Sequence, residues 1–171
     1  MSEDLKKALA VIGLAIFGGL YGTYSCGTYL SERQAKAEKE TATFQALSPE
    51  KKLHKKIRGI TELNYGTTLE GINTLQLTIT QRFPSSHLWF TMTVEDYTRA
   101  AFTIYPDIEL LDIKINLSGH DTYGQAIELP GLLYEMTRTT YQKIKWESFN
   151  SDNLPRIAER WTPLHHQLKT P

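Results

Sequence analysis

Residues 111–117 read Leu-Asp-Ile-Lys-Ile-Asn-Leu, and this stretch decides the fold class of the chain. Apolar and polar side chains alternate at every position, a period of two that is typical of a β-strand with one buried face. A second alternation, Leu-Gln-Leu-Thr-Ile-Thr, occupies residues 75–80. Apolar side chains between Val94 and Tyr105 recur at helical spacing, so a helix is predicted between the two strands.

The segments around these strands predict the rest of a small domain. A hairpin loop is predicted at residues 119–124, and a returning strand at residues 132–138. Two short helices are predicted to follow, one from residue 139 or 140 to 146 and one at residues 153–161. Leu88–Met92 predicts a further short strand, and either Thr91 or Thr93 is suited to cap the helix that follows. Strands interspersed with helices in this order predict an α+β domain, a small antiparallel sheet with helices packed on one face.

The composition limits the size and the class of the protein. The chain has 171 residues, of which 40% are apolar, so it is long enough for one domain with its own core. Lys and Arg number 19, as do Asp and Glu, and this balance argues against a dedicated nucleic-acid binder. The total is neutral because a net charge of +4 in residues 31–60 balances a net charge of −4 in residues 61–171.

The N-terminal region carries the pattern of a membrane anchor. Residues 8–31 contain no charged side chain, and the first half of this segment is strongly apolar. A helix needs about 20 residues to cross the hydrocarbon core of a bilayer, so the segment is long enough to span it. Tyr21, Tyr24 and Tyr29 follow, as expected near a membrane–water interface. A cleaved secretory signal or a lipid anchor at Cys26 is the alternative interpretation.

The predicted membrane helix carries small residues at a spacing of four. Gly18 and Gly22 form one such row, and Ala15 and Gly19 form a second row beside it. Small side chains on one face let two helix backbones approach closely in lipid. The pattern therefore predicts self-association of the chain through this face, although glycine is also simply frequent in membrane helices.

A basic helical neck is predicted to follow the anchor. Ser48 and Pro49 are typical of a helix start, and Leu53 and Ile57 then lie one turn apart. The basic neck consists of Lys51, Lys52, Lys55, Lys56 and Arg58. Three interpretations remain open: contact with anionic headgroups, contact with an acidic protein surface, or a solvated helix that packs its apolar stripe on the domain. The domain boundaries predicted from sequence are 1–30, 31–63 and 64–171.

The sequence offers no chemistry that would identify an enzyme. It contains no phosphate-binding loop, dinucleotide fingerprint or nucleophile elbow. Cys26 is the single cysteine, and adjacent histidines such as His165 and His166 rarely hold one ion together. We therefore expect a protein that is not an enzyme, with no catalytic residue, no metal and no cofactor. Trp146, Phe149 and Trp161 are interpreted either as core or as exposed aromatic anchors of a protein interface.

Several motifs resemble a known class of bacterial domains. They are Tyr-Pro-Asp-Ile at 105–108, Lys-Ile-Lys-Trp-Glu-Ser-Phe at 143–149, Asp-Asn-Leu-Pro at 152–155, and Trp161. Together they resemble small membrane-anchored or lipoprotein α+β domains of bacteria, some of them carried on mobile elements. The resemblance implies an extracytoplasmic bacterial domain and brings no catalytic residue with it. The layout is also similar to single-pass inner-membrane subunits of secretion and conjugation systems.

These observations predict a single-pass protein of the inner (cytoplasmic) membrane with its body outside the cytoplasm. Its expected partners are membrane lipid, proteins of an envelope complex and further copies of itself, and no nucleic acid. A secreted or lipid-anchored binding or inhibitor module is one alternative function. A membrane-tethered enzyme is the other.

Overall fold

The computed structural model describes residues 33–84 and 86–165, and the chain divides into two compact units between Leu47 and Ser48. In the first unit, residues 33–45 form a helix, α1, as their content of Ala, Lys, Glu and Gln favours. Within the described ranges, no helix is both long enough and apolar enough to cross a membrane. The predicted membrane segment, residues 8–31, lies outside the described residues.

The second unit is an α+β domain, which confirms the predicted fold class. Its helices are α2 (Pro49–Lys56), α3 (His87–Ile104), α4 (Arg138–Lys143) and α5 (Leu154–Ile157). Its strands are β1 (Ile60–Thr67), β2 (Asn73–Arg82), β3 (Leu110–His120), β4 (Ala126–Thr137) and β5 (Arg160–Pro163). The five strands form one sheet in the order β1-β2-β3-β4-β5.

The sheet is mixed, so the predicted antiparallel sheet was wrong at its centre. β2 and β3 run parallel, with Leu75 beside Leu111 and Ile79 beside Ile115, whereas the other neighbouring pairs are antiparallel. The 18 residues of α3 extend for about 27 Å, which is close to the length of β2. The helix therefore returns the chain to the end of the sheet at which β2 begins, and β3 runs in the same direction as β2.

Other boundaries also differ from the prediction. Residues 88–92, predicted as a strand, belong to α3, because the Ser86 hydroxyl accepts the N–H of Trp89 and starts the helix before them. The helix predicted for 153–161 ends at Ile157, and β5 follows it along β4. β1 and β5 were not predicted, since edge strands show only a weak alternation of apolar and polar residues.

The core lies between one face of the sheet and the helices. Inward side chains of β2, β3 and β4, such as Leu77, Ile113 and Tyr134, are buried in it. Leu53 and Ile57 at α2 belong to the same core and are 0% and 1% exposed. The apolar stripe predicted for the basic neck therefore packs on the domain, and residues 48–63 belong to the folded unit.

Candidate interaction surfaces

An apolar patch of three exposed side chains lies at the start of α3. Leu88, Trp89 and Met92 are 48%, 63% and 44% exposed. They are neighbours on the helix surface because positions three and four residues apart lie on one face. We call them the α3 patch. Contiguous exposed apolar side chains of this kind mark contact sites for other molecules more often than isolated ones do.

Hydrogen bonds attach the patch end of α3 to the rest of the domain. Ser151 is buried, and its hydroxyl donates to the Glu95 carboxylate at 2.5 Å. The Thr91 hydroxyl donates to the Leu88 carbonyl at 2.9 Å and also lies 3.3 Å from the Asp152 carboxylate. Phe90, next to Trp89 in sequence, points inward and is 0% exposed. The α3 patch is thus displayed by a helix whose opposite face is held in the core.

Acidic groups flank the α3 patch. Asp96 is exposed one turn beyond Met92 on the same helix, and Asp152 lies beside Thr91. Residues 61–171 as a whole carry a deficit of four positive charges. The surface around the patch therefore favours a partner that combines apolar side chains with basic ones.

The aromatic residues singled out in the sequence are half-buried and in contact with other rings. Trp146 lies 4.9 Å from the Tyr141 ring and 5.3 Å from the Phe149 ring, centroid to centroid. Trp161 meets Phe90 and Tyr134 edge-on at 6.2 and 5.9 Å. Phe149 and Trp161 also pack against the core, so these contacts within the domain account for their large apolar side chains.

The basic side of α2 forms a second surface. Ser48 caps the helix by accepting the Lys51 N–H, which confirms the predicted start. Lys51, Lys55, Lys56 and Arg58 are exposed, and Lys52 is half-buried. Basic side chains in the last turn interact favourably with the helix dipole. The predicted basic neck is therefore a cationic face of the folded domain, with its apolar side turned inward.

A groove of about 440 Å³ runs beside β1 on the helix side of the sheet. Its apolar walls come from Pro49, Leu63, Tyr65, Ile104, Tyr105 and Pro106. The Tyr65 ring is 46% exposed and stacks on Tyr105 at 5.4 Å. Its hydroxyl donates to Asp107, and this hydrogen bond to a carboxylate raises the pKa of Tyr65. The groove is therefore partly apolar and is bordered by the edge strand.

The polar face of the sheet contains a small charged cluster. Asp112 lies opposite Glu135, and Glu135 forms an ion pair with Arg160. Partial burial raises the pKa of Asp112, and the nearby Arg160 charge opposes this effect only in part. The two carboxylates are cross-strand neighbours, an arrangement that costs stability unless a cation lies between them.

Two further polar groups have structural roles. The Tyr134 hydroxyl, deep in the core, accepts a hydrogen bond from Thr98 at 2.9 Å, and burial raises its pKa. Glu159 accepts hydrogen bonds from the Thr137 N–H at 2.8 Å and the Thr140 hydroxyl at 2.5 Å, at the start of α4. These contacts connect helices to strands. Together with burial, they explain the shifted pKa values of these groups by packing and hydrogen bonding.

The structure brings some predicted residues together and leaves others undescribed. The basic residues share one face around α2, whereas Ala15, Gly18, Gly19 and Gly22 lie outside the described residues. The α3 patch was missed because Leu88–Met92 was interpreted as a strand, in which alternate side chains would have been buried. A helical interpretation starting at Ser86 would have found it.

In residues 33–84 and 86–165, no three His, Cys, Asp or Glu side chains are grouped so that they could hold a metal ion. Comparison with known proteins gives no relative from which a role could be taken. No protein-family model, no curated protein and no solved structure matches the chain significantly.

Proposed function

We propose that this chain is a membrane-anchored, non-enzymatic assembly protein whose α+β domain binds a protein partner in the bacterial cell envelope. The observation that carries the proposal is the α3 patch, whose largest side chain, Trp89, is 63% exposed. Large aromatic side chains dominate the energetics of protein interfaces, and burying one in a partner contributes about 2 kcal/mol or more. The acidic flank makes a partner with apolar and basic side chains the best match.

The proposed setting is the inner membrane, with the domain outside the cytoplasm. The uncharged segment of residues 8–31 supports an anchor, and the likeness of layout to subunits of secretion and conjugation systems supports an assembly role. The glycine rows at Gly18 and Gly22 support self-association of the anchor.

Photo-cross-linking in native membranes tests the partner surface. We would place a photoreactive phenylalanine at position 89 of the full chain, and at Tyr123 as the control, because Tyr123 is 88% exposed in the β3–β4 loop. A discrete cross-linked product from position 89, absent at 123 and lost in Met92→Asp, is expected. The same products from both positions, or none from 89, would refute the proposal. A product of twice 19.5 kDa would identify the partner as a second copy.

The size of the protein in mild detergent tests the anchor. Wild type is expected to stay associated on dilution to a lower concentration than Gly18→Leu or Gly22→Leu, because leucine separates the helix backbones. Identical behaviour of the three proteins would contradict the proposed helix contact. A mature N-terminus near Cys26, found by mass spectrometry, would instead favour a lipid-anchored or secreted binding module.

A further inference from the structure

We propose that two copies of the domain pair through β1, edge to edge and antiparallel, to form one continuous sheet. This inference deepens the proposed self-association by naming a second interface, and it rests on β1 alone and not on the membrane helix. Three features of the strand support this pairing: backbone groups that point away from β2, an edge with little protection, and a sequence that matches itself.

The outer edge of β1 carries backbone hydrogen-bonding groups that point away from β2. At the hairpin, Thr68 donates its N–H to the Ile72 carbonyl at 2.9 Å. Thr68 and Ile72 therefore form a bonded pair, and bonded and non-bonded pairs alternate along an antiparallel ladder. Leu63 and Tyr65 are an odd number of residues from Thr68, so they form non-bonded pairs with β2 and their N–H and C=O groups point away from it. In the described part of the chain, β1 is the last strand on its side of the sheet.

The opposite edge of the sheet is more strongly protected than β1. β5 has only four residues and includes Arg160 and Pro163, a charged residue and one that cannot donate a backbone hydrogen bond. β1 has eight residues and contains neither lysine nor proline. Its one charged residue, Glu62, and its bulge between Ile60 and Glu62 lie in its first half, and the pairing is regular from Glu62 to Thr67. The stretch from Leu63 to Thr67 contains no charge, proline or bulge, and an edge of this kind is a template for pairing with a further strand.

The sequence of β1 matches itself when Asn64 lies on the twofold axis. Leu63 of each copy is then opposite Tyr65 of the other, and both side chains are on the helix side of the sheet. Tyr65, which is 46% exposed and lines the groove, would gain an apolar neighbour. On the polar face, Glu62 would lie opposite Gly66, so no like charges oppose each other.

A disulfide at the twofold axis tests this pairing. In the proposed register the two Asn64 residues form a non-bonded pair with Cα atoms about 4.5 Å apart, within the range that a disulfide bridges. We would compare Asn64→Cys with Thr162→Cys, an exposed position on β5, each in the full chain carrying Cys26→Ser. Mild oxidation is expected to give at least about tenfold more covalent dimer from position 64, because only that pair has the required geometry.

A second pair of variants separates pairing from random collision. Adding Tyr65→Lys to Asn64→Cys is expected to abolish the cross-link, since each lysine would lie opposite the apolar Leu63 of the other copy in place of the tyrosine ring. The control, Tyr123→Lys, adds the same charge in an exposed loop and should leave the cross-link unchanged. Equal cross-linking at positions 64 and 162, or no effect of Tyr65→Lys, would overturn the inference.

The test also distinguishes this interface from the membrane helix. The cross-link at position 64 is expected to persist in the Gly18→Leu background, because β1 pairing does not use the helix face. A missing cross-link in both backgrounds would overturn β1 pairing while the detergent comparison decides the helix contact separately.

Discussion

Replacing Gly59 by alanine is expected to destabilise the domain by about 3 kcal/mol, because two separate costs meet at this residue. Gly59 has φ of +82°, a left-handed conformation that costs an alanine about 1–2 kcal/mol. The lower entropy of the unfolded alanine chain offsets about half of this cost. The conformational part is therefore about 1 kcal/mol, and it applies to any glycine with this backbone.

The second cost is steric and specific to Gly59. A Cβ atom on this residue would lie 2.2 Å from the carbonyl oxygen of Thr80, far inside any normal contact. The atom it meets is backbone, and the Thr80 N–H also donates to the Gly59 carbonyl at 2.8 Å, so neither side can move without breaking the ladder. Overpacking of this kind costs about 1–3 kcal/mol more.

Urea unfolding of the full chain in mild detergent, followed by tryptophan fluorescence, measures both costs. With a slope of about 2 kcal/mol per molar urea, Gly59→Ala should lower the midpoint by about 1.5 M. The control is Gly124→Ala, which has φ of +79° but nothing within 4 Å of the added atom, and its midpoint should fall by about 0.5 M. Equal shifts for the two variants would refute the steric argument.

Two predictions concern carboxylates. Partial burial would raise the pKa of Glu159, but hydrogen bonds from Thr140 and Thr137 outweigh it and hold this pKa below its usual range. The Glu159 carboxylate therefore stabilises the fold at pH values above the ordinary carboxyl pKa. This stabilisation is lost as the pH falls through the lowered pKa of the folded state. Glu159→Gln should cost about 0.5–1 kcal/mol at neutral pH, and urea midpoints that differ from wild type equally at pH 7 and at strongly acidic pH would contradict this. Burial raises the pKa of Asp112 despite the nearby Arg160 charge, so ionisation of Asp112 lowers the stability of the fold as pH rises. In the same measurement, Asp112→Asn should be more stable than wild type at neutral pH by less than about 1 kcal/mol. A less stable variant would show that the contact with Arg160 dominates.

Local patterns were sufficient where a single segment carried the whole signal. The alternation of residues 111–117 predicted β3, and the cap at Ser48 predicted the start of α2. The loop at 119–124 was predicted from its glycines, and Asp121 indeed accepts the N–H groups of Tyr123 and Gln125. In each case the hydrogen bonds or the period that define the element lie within a few residues of one another.

The candidate surfaces depended on information that no single segment holds. The α3 patch was hidden because Leu88–Met92 is apolar enough for either a strand or a helix, and only the cap at Ser86 separates the two. The edge of β1 became visible only when its partner β2 was known, since the direction of each backbone group depends on that pairing.

The sequence by itself determined that this chain is an α+β protein with a basic helix before its sheet and an uncharged N-terminal segment. Only the tertiary structure decided that β2 and β3 are parallel, that Leu53 and Ile57 turn the basic helix into part of the domain, and which strands form the edges. The physical reason is that period and capping are local properties of the chain. Strand direction, edges and exposed patches arise from which distant segments meet.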